Sequence, residues 1–257
     1  MMPRVDTVGG NYYKPLERAE AVGSGLFWLV AILSIAALFV DKVAYPIAFD
    51  IVQIVFIVCV LLFFCQGQIQ KLYLFPRAED KRRQELLSNS YGVTLTHEET
   101  VGYYNNDQTN PLKRLAASVM ESTFFTREIV RTMLVGQRTK TAGYLVIYFV
   151  AVLNRSTNLE VLAVAAQAVF SEDIIARWLR MEWLRIRSEQ VFDNLTRLFT
   201  GKQAFSRPTA QSQAIDFFSF YETTKSTAAI LLSSSLFHKQ NARLTTEWEQ
   251  IRGRLGI

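Results

Sequence analysis

The chain has few of the residues that crosslink proteins or bind transition metals: two cysteines and two histidines in 257 residues. Cys59 and Cys65 are six positions apart in one apolar run, so on a helix they point in different directions and are not expected to pair. The composition argues against a disulfide-stapled secreted module and excludes a histidine-rich metal site.

Charge is also scarce. Only 20% of the residues are charged and 50% are hydrophobic, and two long segments carry no charge at all. This content argues against a disordered protein, and the uncharged segments argue against a soluble enzyme with a single core. A net charge of +5 is too small to indicate nucleic-acid binding by itself.

Signatures of catalysis are missing as well. The sequence contains no GxxxxGK[ST] phosphate loop, no GxGxxG following a strand, no HExxH and no GxSxG. No serine can be assigned a base and an orienting acid from the sequence. We therefore expect a protein that is not an enzyme and uses neither a cofactor nor a metal.

The uncharged segments have the length of membrane spans. Residues 21–40 (AVGSGLFWLVAILSIAALFV) form a helix of about 30 Å, the thickness of a hydrocarbon core. A second uncharged run, 51–69, follows a linker too short for anything but a helical turn. We predict a transmembrane hairpin over residues 21–69, with residues 1–20 as a cytoplasmic N-terminal segment. Asp50 and Gln53 lie near the outer end of its second helix, where they face either the interface or a pore.

A third apolar block is shorter. Residues 141–154 and 161–171 lack charge, and only Arg155 and Glu160 interrupt them. As helices, these two segments would be about 16 to 21 Å long, which is short for crossing the hydrocarbon core of a membrane. A thin spanning hairpin, a re-entrant hairpin and a buried helical pair in a soluble domain all fit. We favour a membrane hairpin over residues 141–171.

Basic residues set the expected orientation. They cluster outside the two predicted hairpins, whereas the short turns within the hairpins carry only Lys42 and Arg155. The positive-inside rule then places both termini, residues 70–140 and residues 172–257 in the cytoplasm. The flanking basic residues are Arg4, Lys14, Arg18, Lys71, Arg77, Lys81, Arg82, Arg83, Arg127, Arg131, Arg138, Lys140, Arg177, Arg180, Arg185 and Arg187.

The cytoplasmic parts are expected to be helical. Periodic apolar residues predict helices over 112–135 and 172–199, the second ended by Gly201, and a turn at 89–92. Thr96 and Glu99 match a capping box and predict the start of another helix. The charged residues of 79–85 are expected to be exposed. The predicted fold is thus an all-α membrane protein with two transmembrane helical hairpins and cytoplasmic helical regions between and after them.

This layout carries the short motifs SNSYGVTL (88–95), YYNN (103–106), ESTFFTREIV (121–130) and ARWLRMEWLRIRSEQVFDNL (176–195). Together they resemble the SMODS-associated four-transmembrane family of pore-forming effectors of bacterial anti-phage defence. The plan is also similar to that of the Hailong channel subunit, whose ligand is short single-stranded DNA. The chain departs from the family in its short second hairpin and in the region after Phe199.

The resemblance implies an oligomeric inner-membrane ion channel or pore, gated by a nucleotide or oligonucleotide from a partner nucleotidyltransferase. We expect a homo-oligomer, with a tetramer favoured. A non-conducting membrane scaffold that docks a cytoplasmic partner is the alternative. The candidate ligand-binding residues, which offer phosphate-binding forks or stacking rings, are Tyr103, Tyr104, Arg127, Arg131, Arg177 and Arg180. The candidate pore-lining residues, which are the polar members of the spans, are Asp50, Gln53, Glu160 and Gln167.

Overall fold

Helices make up 85% of the residues that the structure describes, which confirms the predicted all-α class. The computed structural model describes residues 5–98, 100–101, 103–104, 106–153, 172–201 and 205–257. The strands in the described residues are β1 (Val5–Asp6) and β2 (Thr100–Val101), which form a short antiparallel pair. The pair ties the start of the chain to the loop that precedes the longest helix.

The two uncharged segments form the first two helices. A π-helical turn, Gly9–Tyr13, leads directly into α1 (Lys14–Phe39), and α2 (Pro46–Ile69) follows. In the turn between them, Asp41 Oδ1 accepts hydrogen bonds from the backbone amides of Val43 and Ala44. Only 6% of each apolar stretch is buried, so the rest of the described structure does not cover these helices.

The two helices lie against each other. The Phe27 and Phe63 rings are 6.3 Å apart between centroids, and Gln66 Nε2 donates to the Ala19 carbonyl at 2.6 Å. Gly23 is buried at this point, where a Cβ would come within 2.7 Å of the Gln66 side chain. Glycine therefore leaves room for the Gln66 side chain to reach the Ala19 carbonyl. Both helices are long and apolar enough to cross a membrane.

The second helix does not stop at the end of the apolar run. It continues through a π-helical turn, Gln70–Leu74, into α3 (Phe75–Tyr91). Gly92 ends α3 with a φ of +67°. The turn predicted over 89–92 is confirmed only at Gly92, since residues 89–91 form the last turn of the helix. α2 and α3 are therefore parts of one continuous helical segment.

The capping-box prediction was wrong. Residues 93–98 form turns and bends, and the Thr96 hydroxyl accepts a hydrogen bond from the Glu98 amide at 3.3 Å. The chain then enters β2, which pairs with β1. The Thr96 side chain thus bonds locally without a helix. The partner strand from the N-terminus was not visible in the local pattern.

The longest helix, α4 (Pro111–Leu153), has 43 residues and a length of about 65 Å. Its first half is buried in the helical bundle. Its last residues are apolar and exposed, with Leu153 80% exposed. The predicted boundary at residue 140 thus lies inside one continuous helix. Residues 154–171 lie outside the described residues, so the second membrane hairpin stays a prediction.

Three further helices complete the bundle. A π-helical turn, Glu172–Ala176, opens α5 (Arg177–Thr200), which Gly201 ends as predicted. Then come α6 (Pro208–Ala228) and α7 (Ser234–Leu255). The core between these helices and α4 contains the fully buried side chains of Leu115, Met120, Ile129, Leu195, Leu244 and Trp248.

Polar contacts join the bundle to α1. Arg177 at the start of α5 pairs with Glu20 at 2.5 Å. Lys140 Nζ lies 5.3 Å from the Phe27 ring and 5.9 Å from the Trp28 ring. The bundle is therefore attached to the N-terminal half of α1, near the point where its uncharged stretch begins.

Candidate ligand cavity at the junction of bundle and apolar helices

A cavity of about 670 Å³ lies where the N-terminal segment, α3, α4 and the C-terminal helices meet. Its size is within the range of small-molecule sites. Its walls combine aromatic and charged side chains. The charged members are the carboxylates of Asp6, Glu17, Glu79, Glu121 and Glu222 and the cations of Lys14, Arg82 and Lys225.

One wall of the cavity contains a buried ionic group. Lys225 Nζ on α6 lies 2.8 Å from Glu79 Oε2 on α3 and 2.9 Å from Glu222 Oε1. The Tyr13 hydroxyl, just before α1, donates to Glu79 Oε1 at 2.7 Å. We name these four residues (Tyr13, Glu79, Glu222 and Lys225) the ionic junction. It joins the entry to α1, the extension of α2 and the bundle at one point.

Burial and pairing act against each other in the ionic junction. Burial lowers the pKa of Lys225, but the charges of Glu79 and Glu222 outweigh it and the net pKa is raised. Burial raises the pKa of Glu79, but Lys225 outweighs it and the net pKa is lowered. For Glu222 burial prevails and the pKa is raised. Lys225 and Glu79 thus form the stable ion pair, and Glu222 is the carboxylate that loses its charge more readily.

A second ion pair borders the same cavity. Arg82 on α3 binds Asp6 through two hydrogen bonds of 3.0 and 2.9 Å. Its guanidinium also lies 4.2 Å from the Tyr103 ring centroid and 5.3 Å from that of Tyr13. The bidentate pair and the stacked rings hold Arg82 in one orientation.

Glu85, one turn further along α3, is buried to 4% exposure. Its Oε2 has no hydrogen-bond partner among the described residues. Burial raises the pKa of Glu85 to about 7, the charge of Arg82 lowers it in part, and Asp6 raises it further. This carboxyl therefore changes protonation near neutral pH.

Beside the ionic junction, Tyr221 is buried between α6 and α4, with its ring centroid 5.0 Å from Lys225 Nζ. Its hydroxyl lies 2.7 Å from Thr126 Oγ1 and donates to the Ser122 carbonyl at 3.3 Å. Burial raises the pKa of Tyr221. Two motif segments meet here: the YYNN segment contributes Tyr103 and Tyr104, and the ESTFFTREIV segment contributes the wall from 121 to 129. Residues that are distant in sequence thus share one cavity.

Of the predicted ligand-binding residues, only the two tyrosines line this cavity. Arg127 lies over the Phe192 ring at 4.5 Å and pairs with Glu128 at 3.0 Å. Arg131 is exposed on α4, and Arg180 is half-buried on α5. Arg177 pairs with Glu20, as described above. The structure therefore does not bring the four arginines together with the tyrosines.

The predicted pore-lining residues are described only in part. Asp50 is exposed and Gln53 half-buried, both on α2. Glu160 and Gln167 lie outside the described residues. Among the described residues, no three His, Cys, Asp or Glu side chains are grouped to hold a metal ion.

Sequence reasoning missed the ionic residues of the cavity. Glu79, Arg82 and Glu85 were expected to be exposed, but they are buried or half-buried. One signal was available: Lys225 is the only lysine or arginine between Pro208 and His238, a stretch rich in aromatic and small residues. A single cation in such a stretch needs a buried partner.

Comparison of the chain with protein-family models, with curated proteins and with solved structures finds no match.

Proposed function

We propose that this chain is a subunit of an oligomeric ion channel or pore in a bacterial inner membrane. In this proposal it acts as an anti-phage defence effector, gated by a nucleotide or oligonucleotide from a partner nucleotidyltransferase. The observation that carries the proposal is the place of the ionic junction. Tyr13 directly precedes α1 and Glu79 lies on the continuation of α2, while Lys225 belongs to the bundle.

The membrane location is supported by the surface of the apolar helices. Ile32 on α1 and Ile54 and Phe64 on α2 are each at least 60% exposed. Exposing such side chains to water costs about 25 cal/mol per Å² of apolar surface, a cost that a lipid environment removes. Basic residues at the ends of both helices favour cytoplasmic termini.

A conducting path requires several copies of the chain. Two adjacent helices enclose no path, so α1 and α2 must face those of neighbouring subunits, in a tetramer by our preference. Asp50 is exposed at the start of α2, where a ring of carboxylates would attract cations. Gln53, Glu160 and Gln167 are the further polar residues proposed to line the path.

The charges of the cavity indicate how a ligand could act. Five carboxylates face three lysine and arginine side chains in its walls. A phosphate that binds Lys225 must therefore take it from Glu79 and Glu222. Such binding would open the ionic junction and release α1 and α3 from α6. The gain is limited to the difference in ligand affinity between the two states.

Tyr103 is proposed to stack on a base. Its ring lines the cavity and is half-buried, with the Arg82 guanidinium 4.2 Å from its centroid. Stacking on an aromatic ring is open to any base. The arginines at 127, 131, 177 and 180 lie outside the cavity, so they are candidates only for the remainder of a longer oligonucleotide.

Ion flux from liposomes that contain the purified protein tests the proposal. Nucleotides and short single-stranded DNA should change the flux of the wild-type protein. Glu222→Gln weakens the ionic junction without creating an unpaired charge and should shift the ligand response, whereas Lys239→Met, at an exposed lysine, should not. If no ligand changes the flux and the membranes stay tight, while a cytoplasmic partner still binds, the chain is a non-conducting scaffold.

A further inference from the structure

Arg77 occupies a distinctive position at the end of the second apolar helix. It lies on α3, two turns beyond Ile69, where the uncharged run ends. Its guanidinium lies 5.4 Å from the ring centroid of Tyr12 and 5.6 Å from that of Tyr73. It also donates a hydrogen bond of 2.7 Å to the Tyr73 hydroxyl. Two aromatic rings thus orient this exposed cation.

The charge of Arg77 is not neutralised by a carboxylate within the part of the chain that the structure describes. The next two arginines of α3 are paired, Arg82 with Asp6 and Arg83 with Asp80. Arg77 forms no such pair. A guanidinium that is oriented but lacks a counter-ion is suited to bind an external anion.

A cleft of about 380 Å³ opens beside Arg77 and is lined also by Asn11, Tyr12, Pro15 and His97. Glu98 is the carboxylate of its described lining, and its side chain is 3% exposed. Asn11 Nδ2 donates to both of its oxygens, at 3.1 and 3.3 Å. The Glu98 carboxylate is thus held within the wall of the cleft, where His97 Nε2 also lies 3.2 Å from it, whereas Arg77 is exposed to an incoming ligand.

The surroundings of the cleft match a membrane surface. Leu72, within the turn that connects α2 to α3, is 76% exposed, and Tyr73 beside it is 56% exposed. Aromatic residues concentrate at the level of lipid headgroups, and arginine reaches from there to phosphate. The cleft is thus continuous with the surface that we propose to be covered by lipid.

From these observations we infer that Arg77, held between Tyr12 and Tyr73, binds the phosphate of an anionic phospholipid headgroup. The headgroup lies in the cleft, and its acyl chains lie along α2. Basic pockets beside transmembrane helices on the cytoplasmic side are suited to such lipids. The inference requires that α1 and α2 lie in a bilayer, but it does not depend on ion conduction or on a nucleotide ligand.

Titration of the full-length protein in detergent with phosphatidylglycerol tests the inference, with thermal unfolding as the readout. Phosphatidylglycerol should stabilise the wild-type protein saturably, whereas phosphatidylcholine should not. Arg77→Gln should require about fivefold more phosphatidylglycerol than the wild-type protein for half of the maximal stabilisation. Arg77→Lys should require an amount between those of the wild-type protein and Arg77→Gln. Arg83→Gln changes the net charge equally on the same helix and should titrate like the wild-type protein.

Three results would overturn the inference: Arg77→Gln titrates like the wild-type protein, phosphatidylcholine stabilises as well as phosphatidylglycerol, or inorganic phosphate alone reproduces the effect. The last result would assign the site to a free anion. Because Arg77 is exposed, its replacement should leave folding in lipid-free detergent unchanged. The lipid titration can fail while ligand-dependent ion flux remains, so it is distinguishable from failure of the proposed function.

Discussion

Lys225 Nζ lies 2.8 Å from Glu79 Oε2, and this buried pair joins the helical bundle to the helix that continues α2. Glu222 is a second carboxylate on the same lysine, at 2.9 Å. The lysine is the member of this set whose loss costs most, because both carboxylates would then be buried without their counter-ion. The pair is therefore well placed to connect ligand binding to the apolar helices.

Replacement of Lys225 should destabilise the fold. Lys225→Met leaves Glu79 and Glu222 buried without a counter-ion, and we expect a loss of about 3–5 kcal/mol in the free energy of unfolding. Lys239→Met removes an exposed lysine and should change this free energy by less than about 0.5 kcal/mol. Thermal or denaturant unfolding in detergent measures both. Equal stability of the two variants would show that the Lys225 pair contributes nothing to the fold.

Glu85 should make stability depend on pH. Its pKa is about 7 in the folded protein and 4.5 when unperturbed, so the folded protein holds the proton more tightly. The stabilisation is fully present below pH 4.5 and is lost as the pH rises through 7, by about 3 kcal/mol at most.

Other carboxylates titrate too, so the informative quantity is the difference between the wild-type protein and Glu85→Gln. Glutamine keeps the shape of the side chain without its titration. The variant should gain stability relative to the wild-type protein as the pH rises from 4.5 to 7. A difference that is constant over this range would mean that Glu85 does not titrate there.

Tyr103 should contribute to ligand affinity through its ring. If a base stacks on it, Tyr103→Ala should raise the ligand concentration needed for the half-maximal change in ion flux about tenfold. Tyr103→Phe keeps the ring and should behave like the wild-type protein. Tyr91 is an exposed tyrosine at the end of α3, outside the cavity, and Tyr91→Ala serves as the control. An unchanged response of Tyr103→Ala would remove this wall from the site.

The Arg177–Glu20 pair should couple the bundle to α1. Both side chains are about one-quarter exposed, so we expect the pair to contribute about 1 kcal/mol. Arg177→Glu and Glu20→Arg should each destabilise the protein, and the double exchange should restore part of the loss. A double-mutant cycle on thermal stability measures the coupling. Strict additivity of the two changes would show that the pair is not formed.

Several elements follow directly from local sequence. Absence of charge over 21–40 and 51–69 predicts α1 and α2, and glycines at 92 and 201 mark the ends of α3 and α5. The two apolar helices depend on composition, and the end of α3 depends on the left-handed backbone conformation of Gly92. Local information is sufficient for them.

The candidate site depends on contacts between distant residues, and for that reason local patterns did not reveal it. Glu79 has the appearance of a solvated residue in its charged helix until Tyr13 and Lys225, 66 and 146 positions away, are placed beside it. The arginine pairs at 127/131 and 177/180 do share helix faces. In the fold, however, Arg127 contacts Phe192 and Glu128, and Arg177 contacts Glu20. Spacing along one helix specifies a face, and the partner of that face is decided by the tertiary fold.

Fractionation of cells that express the full chain tests the central claim most directly. If α1 and α2 lie in lipid, the protein should remain in the membrane pellet after ultracentrifugation and after an alkaline carbonate wash, and detergent alone should release it. Recovery of folded protein in the supernatant without detergent would contradict the account, since the exposed apolar faces of both helices would then need another explanation.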